Sequence, residues 1–288
     1  MRSTSIITEK VAEEPLGLTV LKIAANPSMR RAGLRCLKSI FYYFFFLQYK
    51  FALFPRLVPV TSVDHPLDAT IPFSPWWVSR YLDFIAFWVR LMGFLLRTYR
   101  RKGIGPVIDF LDSMGKVYAF AAQVYTKNLS TTKRPRYLRH PRFMLIHGTD
   151  PHLMCIPSLH VMVVIRTYTA FQGIIHSLGD TQRFAPQLEE VKQGAVAITE
   201  AILYVKQHSI NCIAAAMYAM TCFDQTLFSP EEAHTFVSRL FIQSKKPSPQ
   251  DSTLIRNYIM ERYTGFLTEA AGASSWEEPL VQFLRSFS

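Results

Sequence analysis

Apolar residues along this chain gather into blocks instead of alternating. The densest block is SIFYYFFFLQYKFALF, Ser39 to Phe54, interrupted only by Gln48 and Lys50. Further blocks run from Trp76 to Leu96, from Gly105 to Tyr125 and from Pro157 to about Ile175, and two shorter ones occupy Ala195 to Val205 and Ile210 to Phe223. No strand-like alternating run, internal repeat or low-complexity segment stands out, so the pattern predicts an all-α chain. A helix needs about 20 mostly apolar residues to cross a bilayer. Several blocks approach that length, and the expected architecture is a transmembrane bundle of about six spans with a short helical C-terminal tail.

The boundaries expected are an N-terminal cytoplasmic basic segment over 1–38, a membrane-embedded domain over 39–223 and a helical tail over 224–288. Within the tail, SPEE (Ser229 to Glu232) and SWEE (Ser275 to Glu278) each read as a capping box. STLIRNYIMERYTGFL between them is amphipathic. Arg80, Arg90, Asp109, Lys116, Arg166 and Glu200 interrupt the blocks. A charge facing lipid near a helix centre costs about 2.5–3.5 kcal/mol, so these residues are expected to face the bundle interior or an interface.

Composition sharpens this picture only partly. Hydrophobic residues make up 49% and charged residues 18%, which leans toward a membrane protein. The mean hydropathy of +0.11 leaves a helical protein outside the bilayer open. The net charge of +11 suits anionic partners. The basic run RTYRRK comes without a nucleic-acid recognition motif and reads as topogenic, so no nucleic-acid partner is expected. Four scattered cysteines imply no disulfide framework, and no signal-peptide pattern opens the chain. MRRAGLRCLK and RTYRRK read as cytoplasmic under the positive-inside rule. The expected localisation is thus integral and multi-pass, in the cell (inner) membrane, with the loop from Thr126 to Ile156 on the outer face. That loop is basic too, against the rule, which suggests another job for its charges.

The candidate chemistry centres on LMCIPSLHVMVV, where Pro157-Ser158-Leu159-His160 heads an apolar run. Upstream, KNLSTTKRP places Lys127 seven residues before Arg134. Downstream, YVKQHSINC places Lys206 and His208 between the last two apolar blocks. With alternating span directions, these pairs emerge on one face. A phosphate monoester needs cationic donors for its oxygens, a nucleophile and an acid for the leaving oxygen, all of which this set could supply.

The order of these motifs resembles the three-part signature of the type 2 phosphatidic acid phosphatase superfamily. DATIPFSPWWVSRY, Asp68 to Tyr81, and VKQHS are similar to the branch that includes inositol-phosphorylceramide synthase-like proteins. The resemblance covers roughly residues 40 to 223 and implies a metal-independent phosphohistidine mechanism without cofactor. It assigns His208 as nucleophile and His160 as acid. Lys127, Arg134 and Ser158 would bind phosphate, with Lys206 as a substitute cation. Two positions depart from the family pattern: Ile202 stands where an Arg is usual, and Cys212 where an Asp orients the nucleophile.

The expected function is therefore a lipid phosphate phosphatase or phosphotransferase in a membrane, with a phospholipid or other lipid phosphate as substrate. The alternative is an inactive relative that binds anionic lipid or serves as a scaffold. His152, Cys155 and His160 lack a suitably spaced fourth ligand, so no metal site is expected. Asp64 and Asp68 are paired only in sequence, and Asp68 reads as a cap or anchor.

Overall fold

A computed structural model describes residues 10–287. Helix α1 (Leu16–Ala25) is followed by α2 (Pro27–Ile40), which begins where the Asn26 side chain accepts from the Ser28 and Met29 amides. The chain continues through a π-helical stretch, Phe41–Phe46, into α3 (Leu47–Leu53). Strand β1 (Val60–Ser62) precedes α4 (Val78–Leu82), α5 (Phe84–Tyr99) and α6 (Ile104–Tyr125). After β2 (Leu129–Thr131) come α7 (Pro141–Thr149), α8 (Leu159–Ser177), α9 (Ala185–Tyr204) and α10 (Ile210–Phe223). The last three helices are α11 (Pro230–Ser238), α12 (Pro249–Ala270) and α13 (Glu278–Arg285).

At the centre of the fold is α10, whose residues from Ile210 to Thr221 are all buried. It packs against α8, α12 and α6. A helix that is apolar on every side belongs either in a protein core or in lipid. Here protein surrounds it, and its 14 residues span only about 21 Å, short of the roughly 30 Å of bilayer hydrocarbon. Around it, α8 packs on α9, α2 on α6, and α1 on α5. The α1–α5 approach depends on Gly93, where a Cβ would collide with the Thr19 side chain.

The transmembrane architecture expected from hydropathy is overturned. No helix among the described residues is long and apolar enough to cross a membrane. With it go the integral, multi-pass localisation and the inside–outside topology built on it. The charges inside the apolar blocks show why. Arg90 is paired with Asp83 at 3.0 Å. Arg166 meets Asp224 at 2.9 Å and the Ser113 hydroxyl at 3.0 Å. The Glu200 carboxylate accepts from the Phe241 amide. These three charges are answered by protein groups, while Arg80, Asp109 and Lys116 are exposed, so none of the six calls for the interior of a transmembrane bundle. Most of the apolar blocks are core-facing helices; the exception is Ser39 to Phe54, whose Phe41, Phe45, Phe46, Tyr49, Leu53 and Phe54 stay exposed.

The fold also departs from purely helical. β1 and β2 pair in parallel, with Val60 opposite Leu129 and Ser62 opposite Thr131, and Ser130 bridges to Met154. Strands of three residues are too short to leave a period in the sequence. In the tail, Ser229 caps α11 by accepting from the Glu232 amide at 3.3 Å. Ser275 does not cap α13 with its side chain; that helix starts at Glu278, after an uncapped Glu277.

Candidate active site

The short parallel ladder holds two loops together, and these loops carry the chemistry. Asn128 donates to the Thr61 hydroxyl at 3.0 Å, and the Ser130 hydroxyl accepts from the Ile156 amide at 2.7 Å. The Tyr125 hydroxyl donates to the Pro157 carbonyl at 2.5 Å. These bonds fix the turn that launches α8. Ser158 is its N-cap, with its hydroxyl 3.5 Å from the Val161 amide.

The start of α10 is fixed from the other side. Asp68 accepts from the Ile210 amide at 2.9 Å and from the His65 amide at 2.8 Å. It anchors the DATIPF segment to α10, as expected of it. Asp64 is also structural, accepting from the Lys133 amide at 2.9 Å and from Ser62 at 2.8 Å.

With both helix starts fixed, the two histidines meet. Nε2 of His208 lies 3.4 Å from Nδ1 of His160 and 3.3 Å from the Ser158 hydroxyl. His160 is wedged between the rings of Tyr81 and Phe84, with centroids at 4.6 and 4.4 Å. Burial pushes His160 down to about 4. Burial, reinforced by the neighbouring His160 and His152, pushes His208 well below the usual imidazole range. Both rings are therefore neutral near pH 7. With the Nε2 lone pair of His208 as acceptor, the Ser158 O–H and the His160 Nδ1–H can both donate to it.

The far side of His208 meets no orienting side chain. Its buried Nδ1 has no side-chain hydrogen-bond partner, and the ring also meets the Cys155 backbone. Cys212, at the position where the family pattern has Asp, instead accepts from the Ser209 amide at 3.4 Å. Burial raises the Cys212 thiol well above its ordinary value, so it stays uncharged. Asn211 is occupied elsewhere, donating to the Val63 carbonyl at 3.1 Å and accepting from Tyr258 at 2.7 Å. Ile202 is fully buried in apolar surroundings and offers no donor.

The structure does not bring all the candidate cations together. Arg134 stands behind the cavity wall, donating to the Asp150 carbonyl at 2.9 Å and to Gln207 at 3.2 Å, with the Asp150 carboxylate at 3.5 Å. Lys127 turns away and pairs with Glu277 at 2.6 Å. Lys206 donates to the Asp68 carbonyl. Burial lowers the Lys206 ammonium pKa, against the opposing pull of Asp68 and Asp64.

Sequence reasoning weighed His152 and Cys155 only as metal ligands and missed the cavity wall they form with Asp150 and Gln207. Asp150, His152, Cys155 and Gln207 line the cavity together with His160 and His208. His152 contacts the Thr132 hydroxyl at 2.8 Å, and the Cys155 sulfur lies 3.7 Å from its Nε2. Burial opposes a charge on His152, yet the Cys155 sulfur and the Asp150 carboxylate outweigh it and lift the imidazole to about 9. Asp150 is held down at about 2: burial would raise it, and His152 and Arg134 overcome that. The available signal was the run D-P-H-L-M-C just ahead of Pro157, three titratable side chains within six residues. His152, Cys155 and His160 do not make a metal-ligating cluster, and no such cluster of three or more occurs among the described residues.

His152 and Lys206 both have left-handed backbones, at φ 61° and 55°. Such a conformation costs a side-chain-bearing residue about 1–2 kcal/mol. His152 lines the cavity itself, and Lys206 immediately precedes its lining residues Gln207 and His208. The cavity encloses about 20 Å³, room for about one water.

No family model matches the chain, and neither a curated protein nor a solved structure matches it.

Proposed function

We propose that the chain is a phosphatase or phosphotransferase acting on lipid phosphates through a phosphohistidine on His208. The observation that carries this reading is the contact of His208 Nε2 with both His160 Nδ1 and the Ser158 hydroxyl. The motif order similar to the type 2 phosphatidic acid phosphatase superfamily adds to it. A neutral, buried imidazole presenting its lone pair to a cavity is a competent nucleophile.

The steps follow from these positions. His208 Nε2 attacks phosphorus, the bond to the alcohol oxygen breaks, and a proton from His160 goes to that oxygen. His160 then takes a proton from water as the water attacks the phosphohistidine, releasing phosphate and restoring His208; in transfer, a second alcohol replaces water. The unliganded His160 is neutral, but a bound phosphate dianion raises its pKa by direct attraction and prepares it as the acid. Arg134 supplies the positive charge for the phosphate oxygens. A phosphoryl group needs more room than one water, so substrate entry requires Arg134 to exchange Asp150 and Gln207 for phosphate.

The test uses purified protein with short-chain phosphatidic acid as substrate. Wild type should release phosphate and trap an acid-labile phosphoryl label, and His208→Ala should do neither. Equal phosphate release by the two proteins counts against the mechanism.

A second reading has its own support in the Nδ1 of His208, which has no side-chain partner, and the uncharged Cys212. On that reading the site binds an anionic headgroup without turnover. Saturable binding of the phosphatidic acid, weakened by Arg134→Ala and unaccompanied by label on wild type, identifies this case.

A further inference from the structure

A large exposed apolar face lies on the helical run from α2 into α3. Met29, Ala32, Cys36, Leu47 and Phe51 form its buried side. The opposite side presents Phe41, Phe45, Phe46, Tyr49, Leu53 and Phe54, which line a wholly apolar hollow of about 550 Å³ together with the Lys50 stem. Phe41 is 65% exposed and Leu53 74%. Tyr42 stacks on Phe46 with centroids 5.4 Å apart, so part of the aromatic face is already ordered. Exposed patches of this kind mark interaction surfaces.

Charge identifies the partner. Between Glu14 and Asp64 the sequence holds no acidic residue, and it holds seven basic ones: Lys22, Arg30, Arg31, Arg35, Lys38, Lys50 and Arg56. Arg35 is committed to Asp112 at 2.7 Å. Lys38, Lys50 and Arg56 have no carboxylate partner among the described residues; Lys38 and Arg56 bracket the aromatic face, and Lys50 lies within it. Aromatic side chains in the middle and cations at both ends are the pattern of a helix that lies flat at a lipid–water interface, with long basic side chains reaching toward anionic headgroups. The length agrees. The apolar stretch from Ile40 to Leu53 covers about 21 Å at 1.5 Å per residue, too short to cross the roughly 30 Å of hydrocarbon. Its other side is committed to protein.

We propose that the α2–α3 face is a peripheral docking surface for an anionic phospholipid bilayer, seated in the plane of the interface. The inference does not depend on the phosphate-site reading. Its probe is sedimentation of the full chain with vesicles of phosphatidylcholine alone and of phosphatidylcholine with phosphatidylglycerol, neither of which offers a phosphate monoester.

Wild type should sediment with the mixed vesicles, less with neutral ones, and less again as salt is raised. Phe41→Ser with Phe45→Ser should weaken that partitioning about tenfold or more. Lys38→Glu with Lys50→Glu should remove the preference for phosphatidylglycerol while leaving the melting temperature unchanged, as expected of exposed positions. Sedimentation that is absent in wild type, or equal in wild type and the folded Phe41/Phe45 variant, overturns the proposal. So does a wild-type dimer in solution that the same variant converts to monomer, since the face would then belong to a second copy of the chain.

Discussion

Nε2 of His208 faces Nδ1 of His160 across 3.4 Å, while the other nitrogen of His208 is buried without a side-chain partner. Two elements far apart in sequence, the α8 cap and the α10 cap, have been brought into register to make this contact. The pair is built, but the His208 ring lacks a carboxylate that would hold its tautomer and stabilise its charged form.

Cys212→Asp tests what that missing group costs. The new carboxylate sits one helical turn beyond His208 and should raise phosphate release from short-chain phosphatidic acid by at least about tenfold. The expectation is conservative beside the roughly 10⁴-fold effect of the orienting Asp in serine proteases. A folded Cys212→Asp protein with unchanged turnover would show that orientation of His208 is not limiting.

Asp150→Asn should free Arg134 for anions. The carboxylate now lies 3.5 Å from the guanidinium, and an incoming phosphate must compete with it. Removing its charge should tighten binding of inorganic phosphate by about tenfold, read by titration calorimetry, where tenfold is about 1.4 kcal/mol. The same change takes away one of the charges that lift His152, so that imidazole should titrate lower by NMR.

Stability should peak near neutral pH because the histidines are shifted in opposite directions. His160, at about 4 in the fold, and His208, also lowered, bind fewer protons folded than unfolded below the ordinary value of 6.5. Stability is therefore lost as pH falls from about 6.5 through about 4, by up to about 3 kcal/mol from His160. His152, raised to about 9, contributes stability that is complete below about 6.5 and lost as pH rises through about 9. Melting temperatures from pH 4 to 9 should trace this dome. His160→Asn should flatten its acid limb and His152→Gln its alkaline limb. A wild-type melting temperature that is level across the range contradicts both shifts.

Ser158→Ala should cost about 1 kcal/mol by denaturant unfolding, the usual worth of an N-cap side chain. It also strips a hydrogen-bond partner from His208 Nε2, so phosphate release should fall by more than the stability change explains. Ser158→Thr keeps the hydroxyl and should restore both.

The Lys127–Arg134–Pro135 spacing, the Pro157–His160 tetrad and the Lys206–His208 pair can all be picked out from local residue order. So can the local cap made by Asp68 on the His65 amide and the capping of α11 by Ser229, because these depend on neighbours within a few residues. Which candidates converge is another matter. Lys127 and Arg134 are equivalent as residues in a basic loop, yet one pairs with Glu277, 150 residues away, and the other with Asp150 and Gln207. The partner 150 residues on decides the outcome, and no spacing within the loop encodes it.

The apolar blocks raise the same issue at the scale of the fold. Hydrophobic patterning determined that these segments are helices that shun water. It could not determine what covers them, because lipid tails and packed side chains are equally apolar neighbours. Packing resolved that ambiguity: α10 is enclosed by α6, α8 and α12, and Arg166 and Glu200 find partners in distant segments. The chain alone specified local structure and the chemistry to be positioned. Only long-range contacts, which cancel buried charge and exclude water from the core-facing helices, decided where the core lies and which polar groups share the cavity lined by His152, His160 and His208.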